Sequence, residues 1–258
     1  MIRSEIRAYI NIGALLVVLL FNFLSNTLPF NNLTQGDLSE IYPVMITPAP
    51  YVFSIWGLIY LVLIAFIIYQ ALPNHRENQF VKAVGLLFAV SSIFNILWLF
   101  VWHYQYVGWS MVIIILLLAT LIAIYLRINT VTTEKSIYDR VLVKYLFSLY
   151  LGWITVATIV NLNVLLYDLG WLGTGVGSVL FTVLMIVIAA LVAVRVFYMR
   201  RDYIYVFVFV WAFIGIGVRH GTDVILITGT AWLSAAAILF VLGWIAARKN
   251  ELPFVRQR

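Results

Sequence analysis

The sequence predicts an all-α protein, a polytopic membrane bundle of eight transmembrane helices with both termini in the cytoplasm. Of its 258 residues, 64% are hydrophobic and 10% are charged, a composition far outside the range of soluble globular domains. Eight apolar stretches approach or exceed the roughly 20 residues that a membrane helix needs. The basic residues between these stretches fall on one side, which is the pattern that sets membrane orientation.

The eight apolar stretches account for most of the chain. They run over residues 8–28, 50–71, 80–103, 108–127, 142–166, 172–197, 203–218 and 225–247. The first stretch follows Arg3 and Arg7 as a signal peptide would, but it lacks a small-residue cleavage site, so we expect a retained helix. We expect an integral, multi-pass protein of a prokaryotic inner membrane.

The loop charges support this count of helices. Of the 16 Lys and Arg residues, only Arg219 falls on the external side of an eight-helix arrangement. The others precede the first stretch, flank the second, fourth and sixth connections, or form the tail, which contains Arg248, Lys249, Arg256 and Arg258. Seven or nine helices would scatter these charges over both sides, against the positive-inside rule.

The first external connection, about residues 29–49, is the longest. It carries Asp37 and Glu40 but no Lys or Arg, and Pro29, Pro43 and Pro48 prevent one continuous helix. A loop of this length is either a lid or binding loop, or a solvated tether. Both interpretations stay open at this level.

Aromatic and polar residues form stripes on three of the predicted helices. In the second stretch Phe53, Trp56 and Tyr60 follow the i, i+3, i+7 spacing of one helix face. The third stretch places Asn95 and Trp98 on one face in the same way. A membrane helix exposes such polar groups to protein rather than to lipid.

The third stripe lies in the fifth stretch, where Tyr150, Trp153, Ala157 and Asn161 share one face. Chain direction and helical rise place Trp56, Trp98 and Asn161 about 8–10 Å below the outer surface. The stripes are therefore predicted to line one pocket in the outer half of the membrane. Such a pocket suits a flat, largely apolar ligand, although interhelical packing is the alternative reading of the same residues.

Other chemistry has little support in the sequence. The chain has no cysteine, none of its acidic residues lies mid-membrane, and its three histidines lie at loops or, for His103, at the end of a stretch. We therefore predict no catalytic residue and no metal site, and we do not expect nucleic-acid binding, because the basic residues fit membrane topology. His220, Arg219 and Asp223 form either a small polar site or a polar turn at the outer rim.

Three ordered motifs are similar to those of a known family. They are Pro50 with Phe53 and Trp56-Gly-Leu-Ile-Tyr60, then Asn95-Ile-Leu-Trp98, then Tyr150-x-x-Trp153 with Ala157-Thr158 and Asn161. The chain thus resembles the TspO/MBR family, also called translocator proteins or tryptophan-rich sensory proteins. The resemblance covers about residues 8–167, which would form a five-helix domain, 1–167. Residues 168–258 would be an added three-helix membrane segment of unknown role.

The resemblance implies a function in binding a porphyrin or another tetrapyrrole, with roles in sensing, regulation or transport. The expected site residues are those of the three stripes: Phe53, Trp56, Tyr60, Asn95, Trp98, Tyr150, Trp153, Ala157 and Asn161. No cofactor is required, and a haem-related molecule would be a ligand. The expected partners are the lipid bilayer and a small hydrophobic ligand, and a homodimer is one option for assembly. The alternatives are a facilitator of a small hydrophobic solute and a light- or oxygen-dependent porphyrin-degrading enzyme, with a non-enzymatic role favoured.

Overall fold

The structure, a computed structural model, describes residues 3–27, 30–33, 35–133, 135–173 and 175–247. Within these ranges the regular elements are all helices and no strand occurs, which confirms the predicted all-α class. Pro29 of the first connection and the basic tail after residue 247 lie outside the described residues. The predicted position of the termini is therefore not tested.

The α-helices of the described ranges are numbered in chain order. They are α1 (Ser4–Thr27), α2 (Gln35–Ile41), α3 (Ile55–Ala71), α4 (Gln79–Val84), α5 (Leu87–His103), α6 (Val107–Thr130), α7 (Leu146–Asp168), α8 (Val176–Arg200), α9 (Tyr203–His220) and α10 (Ile225–Ala247). Short 3-10 helices cover Phe30–Asn32 and Pro50–Ser54, and a π-helix over Asp139–Tyr145 leads into α7.

Seven helical segments of the described ranges are long and apolar enough to cross a membrane. They are Ser4–Thr27, Pro50–Ala71, Val107–Asn129, Asp139–Asp168, Val176–Arg200, Tyr203–His220 and Ile225–Ile245. The chain is an integral membrane protein. The predicted third span, residues 80–103, is interrupted, and α5 alone has 17 residues, so the count of eight stays a prediction.

The interruption of the third span lies at Gly85. Its φ of 56° and ψ of −141° end α4, and a Cβ at this position would lie 3.3 Å from the carbonyl oxygen of Lys82. At the other end of α4, the Asn78 side chain accepts hydrogen bonds from Phe80 N at 2.7 Å and Val81 N at 3.4 Å. The cap by Asn78 at the N-terminus and the positive φ of Gly85 at the C-terminus therefore make α4 a separate short helix.

The chain divides into two compact units. The first contains the described residues up to Val44 together with Phe53–Gly173, and therefore helices α1 to α7. The second contains Met45–Val52 and the described residues from 175 onward, and therefore α8 to α10. The predicted domain boundary between residues 167 and 168 stays a prediction.

The core of the first unit joins α3, α5 and α7 through phenylalanine rings. Phe66 contacts Phe88 at 5.9 Å and Phe147 at 5.5 Å between ring centroids, both in edge-to-face geometry. All three side chains are among the most deeply buried of the described residues. This packing holds together the three helices that carry the predicted stripes.

A buried carboxylate fastens one end of the same unit. Asp139 is 4% exposed and accepts hydrogen bonds from the Tyr69 hydroxyl at 2.9 Å, Asn78 Nδ2 at 2.9 Å and Ser136 Oγ at 2.8 Å. These hydrogen bonds offset the free-energy cost of burying the Asp139 carboxylate. The end of α3, the start of α4 and the segment before α7 are thereby joined.

The second unit contains residues 45–52, here called the strap, which comprise the end of the first external connection and the first three residues of the second apolar stretch. Ala49 N donates to Gly215 O at 3.0 Å, and Trp211 Nε1 donates to Val52 O at 3.1 Å. Ile46, Thr47 and Ala49 are buried. The strap therefore lies along α9 rather than in solvent.

The polar residues at the end of α9 also hold the strap. His220 Nε2 lies 2.6 Å from the carbonyl oxygen of Met45, and Arg219 Nη1 donates to Pro48 O at 3.4 Å. The first external connection is predicted to be either a lid or binding loop or a solvated tether. Residues 45–52 are not a solvated tether, because they contact α9. The lid function stays a prediction.

Candidate functional site

Five of the predicted site residues form one cluster of rings, here called the aromatic cluster. Trp56 of α3 stacks on Tyr60 at 5.4 Å and meets Tyr150 and Trp153 of α7 at 6.0 and 6.2 Å between ring centroids. Phe53 meets Trp153 edge-on at 5.9 Å. Trp56 and Tyr60 are four residues apart and Tyr150 and Trp153 three, so each pair shares one helix face. Two of the predicted stripes thus face each other.

The remaining stripe, that of Asn95 and Trp98 on α5, joins the aromatic cluster through Asn95. Asn95 Nδ2 donates to the Tyr150 hydroxyl at 3.3 Å, and Asn95 Oδ1 accepts a hydrogen bond from Asn22 Nδ2 at 3.2 Å. Asn95 is 3% exposed, so these bonds replace solvent. A line of polar groups therefore runs from α1 through α5 to α7.

Asn22 was not predicted as a site residue. It lies in an apolar helix, where an amide seeks a protein partner, and Asn22 Nδ2 also donates to Val18 O at 2.9 Å. The argument applied to Asn161, that an amide within an apolar stretch faces protein rather than lipid, applies equally to Asn22. We add it to the site as the residue that orients Asn95.

Three polar atoms on predicted site residues have no hydrogen-bond partner within the described part of the chain. They are the Tyr60 hydroxyl, Trp98 Nε1 and Trp153 Nε1, and each atom is buried. Buried donors without a protein partner are rare in folded proteins, and their acceptor is a ligand or an ordered water molecule. Two of the three belong to the aromatic cluster, and Trp98 follows Asn95 by one turn on α5. The site is therefore rich in hydrogen-bond donors.

Trp98 begins a second line of rings that leads towards the first external connection. It stacks on Trp102 at 5.7 Å, and Trp102 meets Tyr42 at 5.8 Å. Tyr42 lies in a buried apolar cluster with Val107 and Val164. Burial and the negative charge of Asp168 raise the pKa of Tyr42, so its hydroxyl stays protonated at neutral pH.

Asn161 has a partner on α6. Its Nδ2 lies 3.0 Å from Ser110 Oγ, and Ser110 Oγ lies 3.2 Å from Asn161 Oδ1. Both residues are buried, with exposures of 2% and 0%. The amide therefore joins α6 to α7, and Ser110 is a second residue that sequence reasoning missed. Ala157, between Trp153 and Asn161 on the same helix, is partly buried.

The groups that the arrangement offers are aromatic rings and hydrogen-bond donors. No group of three or more His, Cys, Asp or Glu that could hold a metal ion occurs in the described ranges. The residues of the aromatic cluster carry no formal charge, since they are Phe, Trp and Tyr. The chemistry on hand is recognition of an apolar face and of acceptor atoms at its edge.

Comparison with protein families gives one match. A family model described as TSPO-like protein matches residues 8–244. The match contains the aromatic cluster and continues through α8, α9 and most of α10, beyond the limit of about residue 167 that the motifs suggested. No curated protein and no solved structure matches the chain.

Proposed function

Because the chain belongs to the TSPO-like protein family, we propose that the aromatic cluster binds a flat hydrophobic ligand, such as a porphyrin or another tetrapyrrole. The bound ligand would serve in sensing, regulation or transport. No cofactor is required for this role, and a haem-related molecule would act as the ligand itself.

The observation that carries the proposal is the set of three unpartnered donors, the Tyr60 hydroxyl, Trp98 Nε1 and Trp153 Nε1. An indole N–H only donates, so its missing partner is an acceptor. A tetrapyrrole offers acceptors in its carboxylates, beside a large planar face. A plain hydrocarbon ligand would leave all three donors unpaired and would be disfavoured.

The ring geometry supports the same ligand class. Trp56 and Tyr60 are nearly parallel, with an interplanar angle of 16°, whereas Trp56 and Trp153 are nearly perpendicular at 89°. Because Trp56 and Tyr60 stack on each other, a flat, conjugated ligand would extend this stack from an outer face. The ligand is therefore expected to be flat and conjugated.

Titration of intrinsic tryptophan fluorescence with protoporphyrin tests the proposal. Trp153→Phe keeps a ring in the aromatic cluster but removes the N–H. A hydrogen bond to a charged acceptor contributes about 1.5–3 kcal/mol, so the variant is expected to bind protoporphyrin roughly 10- to 140-fold more weakly. Trp232→Phe is the matched control, because Trp232 belongs to the second unit. Equal affinities for the two variants and the unaltered protein would contradict the assignment.

A flux measurement separates the alternative functions. Protein in liposomes is given protoporphyrin on one side, and its appearance on the other side is followed in the dark. Saturable binding without movement supports sensing or regulation, and movement supports a facilitator. Loss of porphyrin and formation of a product only under illumination would instead identify an enzyme.

A further inference from the structure

A second buried polar cluster lies in the first unit, where α1 meets the end of α3 and the break between α4 and α5. Asn11 Nδ2 donates to Gln70 Oε1 at 3.1 Å and to the carbonyl oxygen of Gly85 at 3.0 Å. Asn11 is 0% exposed and Gln70 is 1% exposed. The side chain of Asn11 thus completes the hydrogen bonding at the break in the third span.

The orientation of both amides follows from the carbonyl oxygen of Gly85. A carbonyl only accepts, so Asn11 must turn its nitrogen towards Gly85. The same nitrogen lies against Gln70, so Gln70 must present its oxygen. Exchanging nitrogen and oxygen in either amide would bring acceptor against acceptor or donor against donor, and neither amide is therefore free to flip.

With this fixed orientation, one acceptor atom and one donor atom of the two amides have no hydrogen-bond partner in the described chain. Asn11 Oδ1 and Gln70 Nε2 are both buried, and neither has a hydrogen-bond partner among the residues that the structure describes. Because Asn11 Nδ2 and Gln70 Oε1 are 3.1 Å apart, the two unpaired atoms belong to amides in direct contact. One small occupant that both donates and accepts would pair both atoms.

We propose that these amides bind a water molecule that donates to Asn11 Oδ1 and accepts from Gln70 Nε2. An anion cannot donate to Asn11 Oδ1, and a metal cation cannot accept from Gln70 Nε2. Arg7 lies one turn before Asn11 on α1 and donates to the carbonyl oxygen of Arg76, and its positive charge further disfavours a cation. Water satisfies both atoms, as buried waters commonly do for polar groups that lack protein partners.

The water would complete the support for the interruption at Gly85. The break leaves the carbonyl oxygen of Gly85 outside the helical ladder, and Asn11 is the side chain that binds it. The water would pair the two amide atoms that this arrangement leaves without a partner. The site is separate from the aromatic cluster, and the inference does not depend on the proposed function.

Water-edited solid-state NMR of isotope-labelled protein in lipid bilayers tests the proposal. Magnetisation transferred from water is expected to reach the Gln70 side-chain amide about as fast as it reaches the side-chain amide of Asn74, which is exposed in a loop. Asn163 is the dry control, because it is 1% exposed and donates to Ile159 O at 2.8 Å within its own helix. Transfer to Gln70 as slow as to Asn163 would overturn the proposal.

A variant locates the water. Asn11→Leu removes the acceptor, and transfer to Gln70 is expected to fall to the level of Asn163. Unchanged transfer in a folded Asn11→Leu protein would show that Asn11 does not hold the water. If this variant does not fold, density maps of the unaltered protein decide: a peak within hydrogen-bond distance of both Asn11 Oδ1 and Gln70 Nε2 supports the site, and its absence beside other ordered waters contradicts it.

Discussion

Trp153 stands edge-on to Trp56, with ring centroids 6.2 Å apart and ring planes at 89°. The two residues lie about 100 positions apart in the chain, on α7 and α3, and their contact brings two of the predicted stripes together. Trp153 is 2% exposed, yet its Nε1 has no partner within the described residues. This unpaired N–H is the feature on which the proposed ligand site depends.

Asn95→Ala is expected to destabilise the protein, because Asn95 is the link between Asn22 and Tyr150. Interhelical hydrogen bonds in membranes contribute about 0.6 kcal/mol on average and up to about 1.7 kcal/mol, so losing both bonds should cost roughly 1–3 kcal/mol. The measurement is the free energy of unfolding in mixed micelles. Asn26→Ala is the control, since Asn26 is exposed and bonds within its own helix, and an equal loss in both variants would argue against the link.

Much of the aromatic cluster could be predicted from the sequence, because helical periodicity decides which residues share a face. The spacing predicts Phe53, Trp56 and Tyr60 on one face, and the structure places the rings of Phe53 and Trp56 against the rings of α7, with Tyr60 stacked on Trp56. Periodicity does not decide which neighbour a face meets. For this reason Ser110, the partner of Asn161, was missed.

The break at Gly85 and the strap could not be predicted for a different reason. A glycine inside an apolar stretch is compatible with a continuous helix, and its positive φ is not visible in the sequence. The strap depends on contacts between residues 45–52 and α9, which are more than 150 positions apart in the chain. Local patterns carry no information on such pairs.

Gly215→Val is expected to detach the strap from α9. A Cβ at Gly215 would lie 2.1 Å from Val52 Cγ2 and 3.1 Å from Pro48 Cβ, so any side chain requires the strap to move. Overpacking of this kind costs about 1–3 kcal/mol. Limited proteolysis should show new cleavage in residues 45–52. Gly229→Val, on α10 of the same unit, is the control, because nothing lies within 4 Å of its Cβ position, and equal cleavage in both variants would contradict the prediction.

Asp139→Leu is expected to be the most destabilising of these substitutions. It removes the acceptor that the Tyr69 hydroxyl and Asn78 Nδ2 share, and Asn78 Nδ2 keeps only its longer bond to the Tyr69 hydroxyl, at 3.3 Å. Each of the two lost bonds contributes about 1–3 kcal/mol, so a total of roughly 2–6 kcal/mol is expected in thermal unfolding. Asp139→Asn keeps one oxygen and should lose less, and Glu40→Leu tests an exposed carboxylate. Similar melting temperatures for Asp139→Leu and Glu40→Leu would show that the buried bonds contribute little.

Tyr60→Phe and Tyr69→Phe make the same change on one helix, and opposite effects on stability are expected. The Tyr60 hydroxyl is buried without a partner in the described chain, so its removal should leave stability unchanged or raise it by about 1 kcal/mol. The Tyr69 hydroxyl donates to Asp139 at 2.9 Å, so its removal should lower stability by about 1–3 kcal/mol. Protoporphyrin affinity should fall in Tyr60→Phe and stay unchanged in Tyr69→Phe, because Tyr60 belongs to the aromatic cluster and Tyr69 does not. Unfolding curves and protoporphyrin titrations on both variants measure these effects. A Tyr60→Phe protein that is less stable but binds protoporphyrin normally would show that the hydroxyl has a structural role and does not belong to the binding site.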